Sequence, residues 1–160
     1  MPVTPLEALA ASLKGEARVL GLDVGTKTIG LALSDARRMV ASPMETIRRA
    51  RLATDLARIG ELVAKHGVGG FVVGLPVALD GREGPRCQAV RQFAKDLLGA
   101  CDLPLAFWDE RLSSAAVERV LIDEADMSRA RRREVVDKMA AAYILQGALD
   151  RVARANPRAG

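Results

Sequence analysis

Four acidic residues stand where a carboxylate can do chemistry: Asp23, the adjacent pair Asp109 and Glu110, and Asp137. Asp23 closes the first apolar run of "VLGLDVGTKTIGLALSD", just ahead of a tight turn. Asp109 and Glu110 end "LPLAFWDER", and Asp137 opens the apolar-striped "VDKMAAAYILQ". A buried carboxylate is costly unless it is paired, hydrogen-bonded or bound to a cation. Carboxylates that converge repel one another and resist ionising together unless a cation offsets them. Hard oxygen donors of this kind suit Mg²⁺ or Mn²⁺ rather than zinc. A carboxylate cluster holding two such ions is one solution to phosphodiester hydrolysis, one ion activating water and the other steadying the leaving oxygen. Taken singly, each acid is more simply a surface carboxylate or a helix cap. The case for chemistry rests on their convergence.

Convergence needs elements that can deliver it. Arg18 to Val24 reads as a strand, "GTKT" as a turn, and Ile29 to Ser34 as a returning strand, with Gly25 supplying a permissive backbone. A third short strand fits Met39 to Ile47, where Pro43 marks a sheet edge. Leu52, Leu56, Ile59, Leu62 and Val63 recur at helical spacing from Arg51 to Lys65, and Gly67 is placed to cap that helix. "GGFVVGLP" is an apolar run suited to a strand covered on both faces. Pro85 opens a helix to about Leu98, "LPLAFWDER" follows as a strand, and Ser113 or Ser114 caps a helix through Ile122. A last helix covers roughly Val135 to Val152, and its small residues Ala140, Ala141 and Ala148 would let it lie close to a sheet. This order predicts an α/β domain with a mixed sheet, antiparallel in its first three strands and parallel afterwards. Strand ends in such sheets are where ligands bind, and the acids stand there.

The bulk composition bounds the reading. A chain of 160 residues fits one domain, expected at 17–153, with a flexible extension at 1–16 and a disordered tail at 154–160. Aromatics are only 3% of a chain that is 49% hydrophobic, so the core must be built from aliphatic side chains. The formal charge is +4, and its arginines cluster, which suits a phosphate-bearing partner; a solvated charged surface is the bland alternative. Lys27 lies in the turn beside Asp23, and Arg111 adjoins the acid pair. Arg82 lies within the loop "GLPVALDGREGP" and Arg86 directly after it, and Gly74, Pro76, Asp80 and Gly81 shape that loop. Arg129, Arg131, Arg132 and Arg133 crowd "MSRARRRE", where cations would oppose a helix macrodipole and folding gains little from them. Cys87 and Cys101 lack metal-ligand spacing and read as reduced cytosolic thiols. His66 follows a helix and reads as a helix-end residue. No run has the length of a membrane span, and the first residues are poorly built as a signal peptide.

The segments "LGLDVGTKTIGLALSD", "VVGLPVALDGREGPRCQAVRQFA", "WDERLSS" and "VDKMAAAYILQ" resemble, in order and spacing, the four signature blocks of the YqgF (RuvX) family, spanning about Val19 to Asp150. The resemblance implies an RNase H-like fold with a five-stranded mixed sheet and helices on both faces, related to Holliday-junction resolvases. It also implies a metal-dependent nuclease of the bacterial cytoplasm, with 5′-end processing of pre-16S rRNA in ribosome biogenesis as the favoured task and branched DNA as the alternative substrate. Carried over block by block, the catalytic residues and Mg²⁺ or Mn²⁺ ligands are Asp23, Glu110 and Asp137, with Asp109 as the alternative second acid. Glu110 is preferred because glutamate commonly fills that place in related nucleases and adjacent strand residues face opposite ways. Lys27, Arg82, Arg86, Arg111, Arg129, Arg131, Arg132 and Arg133 are then the expected nucleic-acid contacts.

Two rivals are weighed beside this. "GLDVGT" is also similar to the first phosphate loop of the actin, heat-shock chaperone and sugar-kinase superfamily, in which Gly25 and Thr26 would approach ATP phosphates. A second glycine-rich phosphate loop of that type is missing, as is a second domain to close over nucleotide. The other rival is a non-catalytic nucleic-acid-binding or regulatory protein whose acids are structural. Monomer and homodimer are equally open.

Overall fold

The computed structural model describes residues 3–112 and 129–155, with side chains in the last helix described from Glu134 onward. Three strands form an antiparallel meander: β1 (Arg18–Val24), β2 (Thr28–Ser34) and β3 (Ala41–Arg48). β4 (Val68–Leu75) and β5 (Leu105–Asp109) then add parallel to β1, giving the order β3-β2-β1-β4-β5. The mixed sheet expected from the element order is therefore present, with β1 at its centre and Pro43 on the edge strand β3.

Period-two alternation splits the sheet cleanly. Leu20, Leu22 and Val24 of β1 join Phe71 and Val73 of β4 in one core, under α2 (Leu52–His66) and α3 (Pro85–Ala100). Val19, Ala32, Val72, Ala106 and Trp108 face the other way, into a second core beneath α4 (Arg129–Ala155). Gly67 ends α2 in the left-handed conformation (φ 63°), its N–H returning to Val63 O, as the sequence pattern anticipates. The helix expected from Ser113 or Ser114 to Ile122 lies outside the described residues.

The first sixteen residues depart from expectation. In place of a flexible arm, Leu6–Ser12 form a short helix, α1, and Leu9 is 1% exposed within the second core. Val3 bridges Leu105 at the free edge of β5, and Thr4 N–H donates to Leu105 O at 2.8 Å. The physical reason is a bare patch of sheet. Gly69 and Gly70 present no side chain there, and a Cβ at Gly70 would stand 2.6 Å from Leu9 Cδ1. Leucines at positions 6, 9 and 13 fill that space, and full burial of one such side chain contributes about 2 kcal/mol. At the other end α4 passes the expected boundary and runs to Ala155; residues 156–160 lie outside the description. No helix among the described residues is long and apolar enough to cross a membrane.

Candidate functional site

Asp23 occupies the α4 face of the sheet, two residues beyond Gly21, and is 9% exposed. Its partner across the antiparallel ladder is Gly30, whose own partner on β3 is Thr46. The start of α4 crosses this row. A Cβ on Gly30 would fall on the main-chain carbonyl of Asp137, far inside the 3.0 Å that real Cβ atoms respect. Glycine at position 30 is thus what lets the helix backbone touch the sheet beside Asp23. Two hydroxyls fix the helix there. Thr28 Oγ1 donates to Asp137 Oδ2 at 2.5 Å, and Thr46 Oγ1 donates to Glu134 O at 2.7 Å. The first of these bonds orients the Asp137 carboxylate from a strand residue five positions after Asp23.

The adjacent acids of the second pair part company. Asp109 follows the parity of Phe107, on the α2 and α3 face, and is seized by Arg111. Arg111 Nη2 donates to Asp109 Oδ2 at 2.6 Å, Nε to Oδ1 at 3.0 Å, and the Arg111 main-chain N–H to Oδ1 at 2.9 Å. That guanidinium holds the Asp109 carboxyl below its ordinary range, despite the opposing effect of partial burial. Glu110 opens a 3-10 turn (Glu110–Leu112) and turns back over β4. A Cβ on Gly74 would lie 3.2 Å from Glu110 Cγ and 2.5 Å from Ile144 Cδ1 of α4. Glu110 therefore shares a face with Asp23, Asp137 and α4, at the carboxyl ends of β1 and β5.

The donor set is chemically right for a hard divalent cation: three carboxylates with no sulfur or imidazole among them. It is not a closed cage. Among the described residues, no three His, Cys, Asp or Glu side chains are grouped so as to hold a metal ion. Asp23 and Asp137 share one row of the sheet, while Glu110 reaches in from over Gly74, one strand away.

A family model described as RuvX, Holliday junction resolvase, matches residues 17–151. The chain belongs to the RuvX family. It is 59% identical over 150 residues to a Paramagnetospirillum magneticum protein provisionally named pre-16S rRNA nuclease, covering 94% of this chain and 96% of that one. A Rhodospirillum rubrum protein of the same provisional name is 54% identical over 157 residues, covering 98% of each. Among solved structures, Thermus thermophilus RuvC in complex with Holliday junction substrate superposes with a TM-score of 0.56 at 16% identity, covering 88% of this chain and 96% of that one. At that identity the likeness speaks for the fold, which is RNase H-like.

The basic residues expected around this RuvX-family site are spread over two sides of it. Lys27 is exposed at the hairpin turn. Arg82 is exposed and pairs loosely with Asp80 at 3.3 Å, and Arg86 is exposed in the first turn of α3. Arg111 is exposed but already paired with Asp109, so its charge is largely matched within the chain. Arg129, Arg131, Arg132 and Arg133 belong to the first turns of α4, and their side chains lie outside the described residues. His66 is the last residue of α2, and Cys87 and Cys101 are free thiols, Cys87 donating to Pro76 O at 3.2 Å.

Two RuvX-family residues at the site escape a reading based on acids and arginine clusters. Thr28 is one, since a threonine entering a strand carries no signal of its own. Arg49 is the other. Its main-chain N–H donates to Lys27 O at 2.9 Å, its Nη1 donates to Gly25 O at 2.8 Å, and its guanidinium lies over the Phe93 ring at 5.3 Å. It clamps the turn that follows Asp23 to helix α3, and only the fold brings positions 25, 49 and 93 together.

Proposed function

We propose that the chain is a divalent-cation-dependent nuclease of the cytoplasm that hydrolyses phosphodiester bonds in pre-16S rRNA, trimming its 5′ end during ribosome biogenesis. The observation that carries this reading is that Asp23 on the sheet and the Asp137 backbone of α4 both lie against Gly30, with Glu110 on the same face. The names of the curated relatives favour RNA as substrate. The family model's own description favours a second reading, branched DNA.

In this proposal Asp23, Glu110 and Asp137 hold Mg²⁺ or Mn²⁺. A cation held there would offset the carboxylate repulsion, polarise the phosphate and lower the pKa of attacking water. The chain's own residues do the rest. Asp23 presents its carboxylate from the rigid central strand, and Thr28 holds Asp137 by one oxygen, leaving the other for the site. Glu110 sits on a 3-10 turn rather than in the ladder, so it can adjust toward the two aspartates as substrate and cation arrive. Asp109 serves as the anchor of Arg111 rather than as a ligand. Lys27, Arg82, Arg86 and the arginines at the start of α4 contact backbone phosphates, which position a substrate without reading its bases.

The test is a cleavage comparison on matched substrates, a precursor rRNA fragment spanning the mature 5′ end and a four-way DNA junction, each with Mn²⁺, with Mg²⁺ and with chelator. Cation-dependent cutting of the RNA at the mature end is the expected result. Cutting of the junction alone would transfer the assignment to the second reading. Binding without cutting under every condition would leave a non-catalytic nucleic-acid-binding protein.

A further inference from the structure

Among the described residues, the most exposed large apolar side chain is Leu79, at 93%. A single exposed leucine is ordinary on a protein surface. What holds this one up is not. It sits on the loop between β4 and α3, which folds back on itself through Gly81 N–H to Ala78 O at 2.8 Å and Ala78 N–H to Arg82 O at 3.0 Å. Gly81 adopts φ 89°, the backbone such a tight reversal needs.

Two arginine struts then fix the loop to β5. Arg111, held by Asp109, reaches Leu79 O through Nη1 at 3.4 Å. Arg91 grips Glu83 through Nε at 2.6 Å and Nη2 at 2.9 Å, and lies over the Phe107 ring at 4.9 Å. The loop is therefore braced on both sides of its tip, and the braces end on the strand that leads into Glu110. Among the described residues, nothing packs on the leucine that this much structure raises into water. A ligand would. Asp80 and Glu83 balance Arg82 and Arg86 on this loop, so its charge is even; its place beside the strand that leads into Glu110 points to the nucleic acid that the acids would cut.

We propose that Leu79 is a wedge that inserts against a nucleobase of the bound substrate, unstacking the strand beside the phosphate delivered to the acids. This rests on the nuclease reading above. An unstacked base leaves an apolar face in water, and an aliphatic side chain laid on it removes both from solvent. Apolar wedges of this kind part base steps in other nucleic-acid complexes, and the distortion is repaid by the contacts it opens. Arg82 and Arg86 hold the flanking phosphates, and the braced loop sets how far from the separated step the acids cut.

The experiment uses the full chain carrying Asp23→Asn, and whichever substrate the cleavage comparison selects, with single 2-aminopurine labels stepped through the cut region. Binding should brighten one label next to the scissile phosphate. Adding Leu79→Ser should abolish that brightening with affinity nearly kept, because phosphate contacts supply most of it. In the otherwise unaltered enzyme, Leu79→Ser should lower kcat/KM by about tenfold, and Leu79→Phe should restore it. Unchanged thermal melting of both variants excludes a folding defect, as expected for a side chain this exposed. If no label brightens, or brightening is the same without Leu79, the wedge is wrong and the nuclease reading stands.

Discussion

The main-chain carbonyl of Asp137 occupies the place where a Gly30 side chain would begin. Position 30 is therefore a steric gate on the site. Gly30→Ala should force α4 away from the sheet and cost about 1–3 kcal/mol of stability, the usual range for overpacking a filled core. Cleavage should fall further than stability does, because the displacement begins at Asp137 itself. Gly60→Ala is the control. Nothing lies within 4 Å of a Cβ there, and alanine is the better helix former in the middle of α2. Denaturant unfolding and initial cleavage rates of the two variants make the comparison. Equal behaviour would remove the steric account.

Asp23→Asn should abolish cleavage while leaving the fold and most nucleic-acid binding in place. Without added cation the same change should hold or raise the melting temperature, since it takes one negative charge from a face shared by three carboxylates. Thr28→Val, nearly the same shape, should act differently. It deletes the donor to Asp137, and a hydrogen bond to a charged group is worth about 1.5–3 kcal/mol. Melting curves with and without Mn²⁺, set beside cleavage rates, separate these outcomes. Full activity in Asp23→Asn would sink the assignment of this acid.

How much of this was legible in the residues themselves depends on which physics each feature uses. The strands and the helices α2, α3 and α4 follow from local periodicity and turn chemistry, as at Gly67 and Pro85. The acids stand out because a carboxylate in an apolar run is costly wherever it lies. Gly21, Gly30 and Gly74 gave no such signal. A glycine in a strand reads as weak pairing, and only the helix laid across it gives the missing Cβ a purpose. Helix α1 is hidden from local pattern for a related reason: "LEALAAS" is too short to hold itself, and its stability comes from the bare sheet at Gly69 and Gly70. Thr28 and Arg49 act across long separations in sequence, and neither residue type announces its partner.

Glu110→Gln and Asp109→Asn should have opposite signatures. The first should remove most activity and leave stability nearly unchanged. The second should loosen Arg111 and the loop it braces, lowering stability with a smaller loss of rate. The pH dependence follows from the depressed Asp109 carboxyl. A group whose folded pKa lies below its unfolded one adds stability above the unfolded value, and that stability is lost as pH falls through the folded one. The gap in melting temperature between parent and Asp109→Asn should thus be full near neutrality and close as pH drops below the ordinary aspartate range. A gap that stayed constant to low pH would show that the carboxylate charge is not what Arg111 responds to.

The arginines at the start of α4 are best tested by salt. Cations in the first turn of a helix oppose its macrodipole, so the position of Arg131, Arg132 and Arg133 at the start of α4 gives the helix dipole no reason for them. Phosphates would supply one. Each phosphate neutralised releases condensed counterions, and the slope of log affinity against log salt counts them, at about 0.7 per contact on a single strand. Replacing all three by Gln should weaken binding and flatten that slope by about 2 if each meets a phosphate. The loss should be similar for substrates of different sequence, because these contacts do not reach base edges. Removing Arg82 and Arg86 in the same assay should flatten the slope again and independently, since they lie on the loop after β4 rather than on α4. Coincident slopes for the parent and the triple variant would mean that the start of α4 faces something other than the substrate.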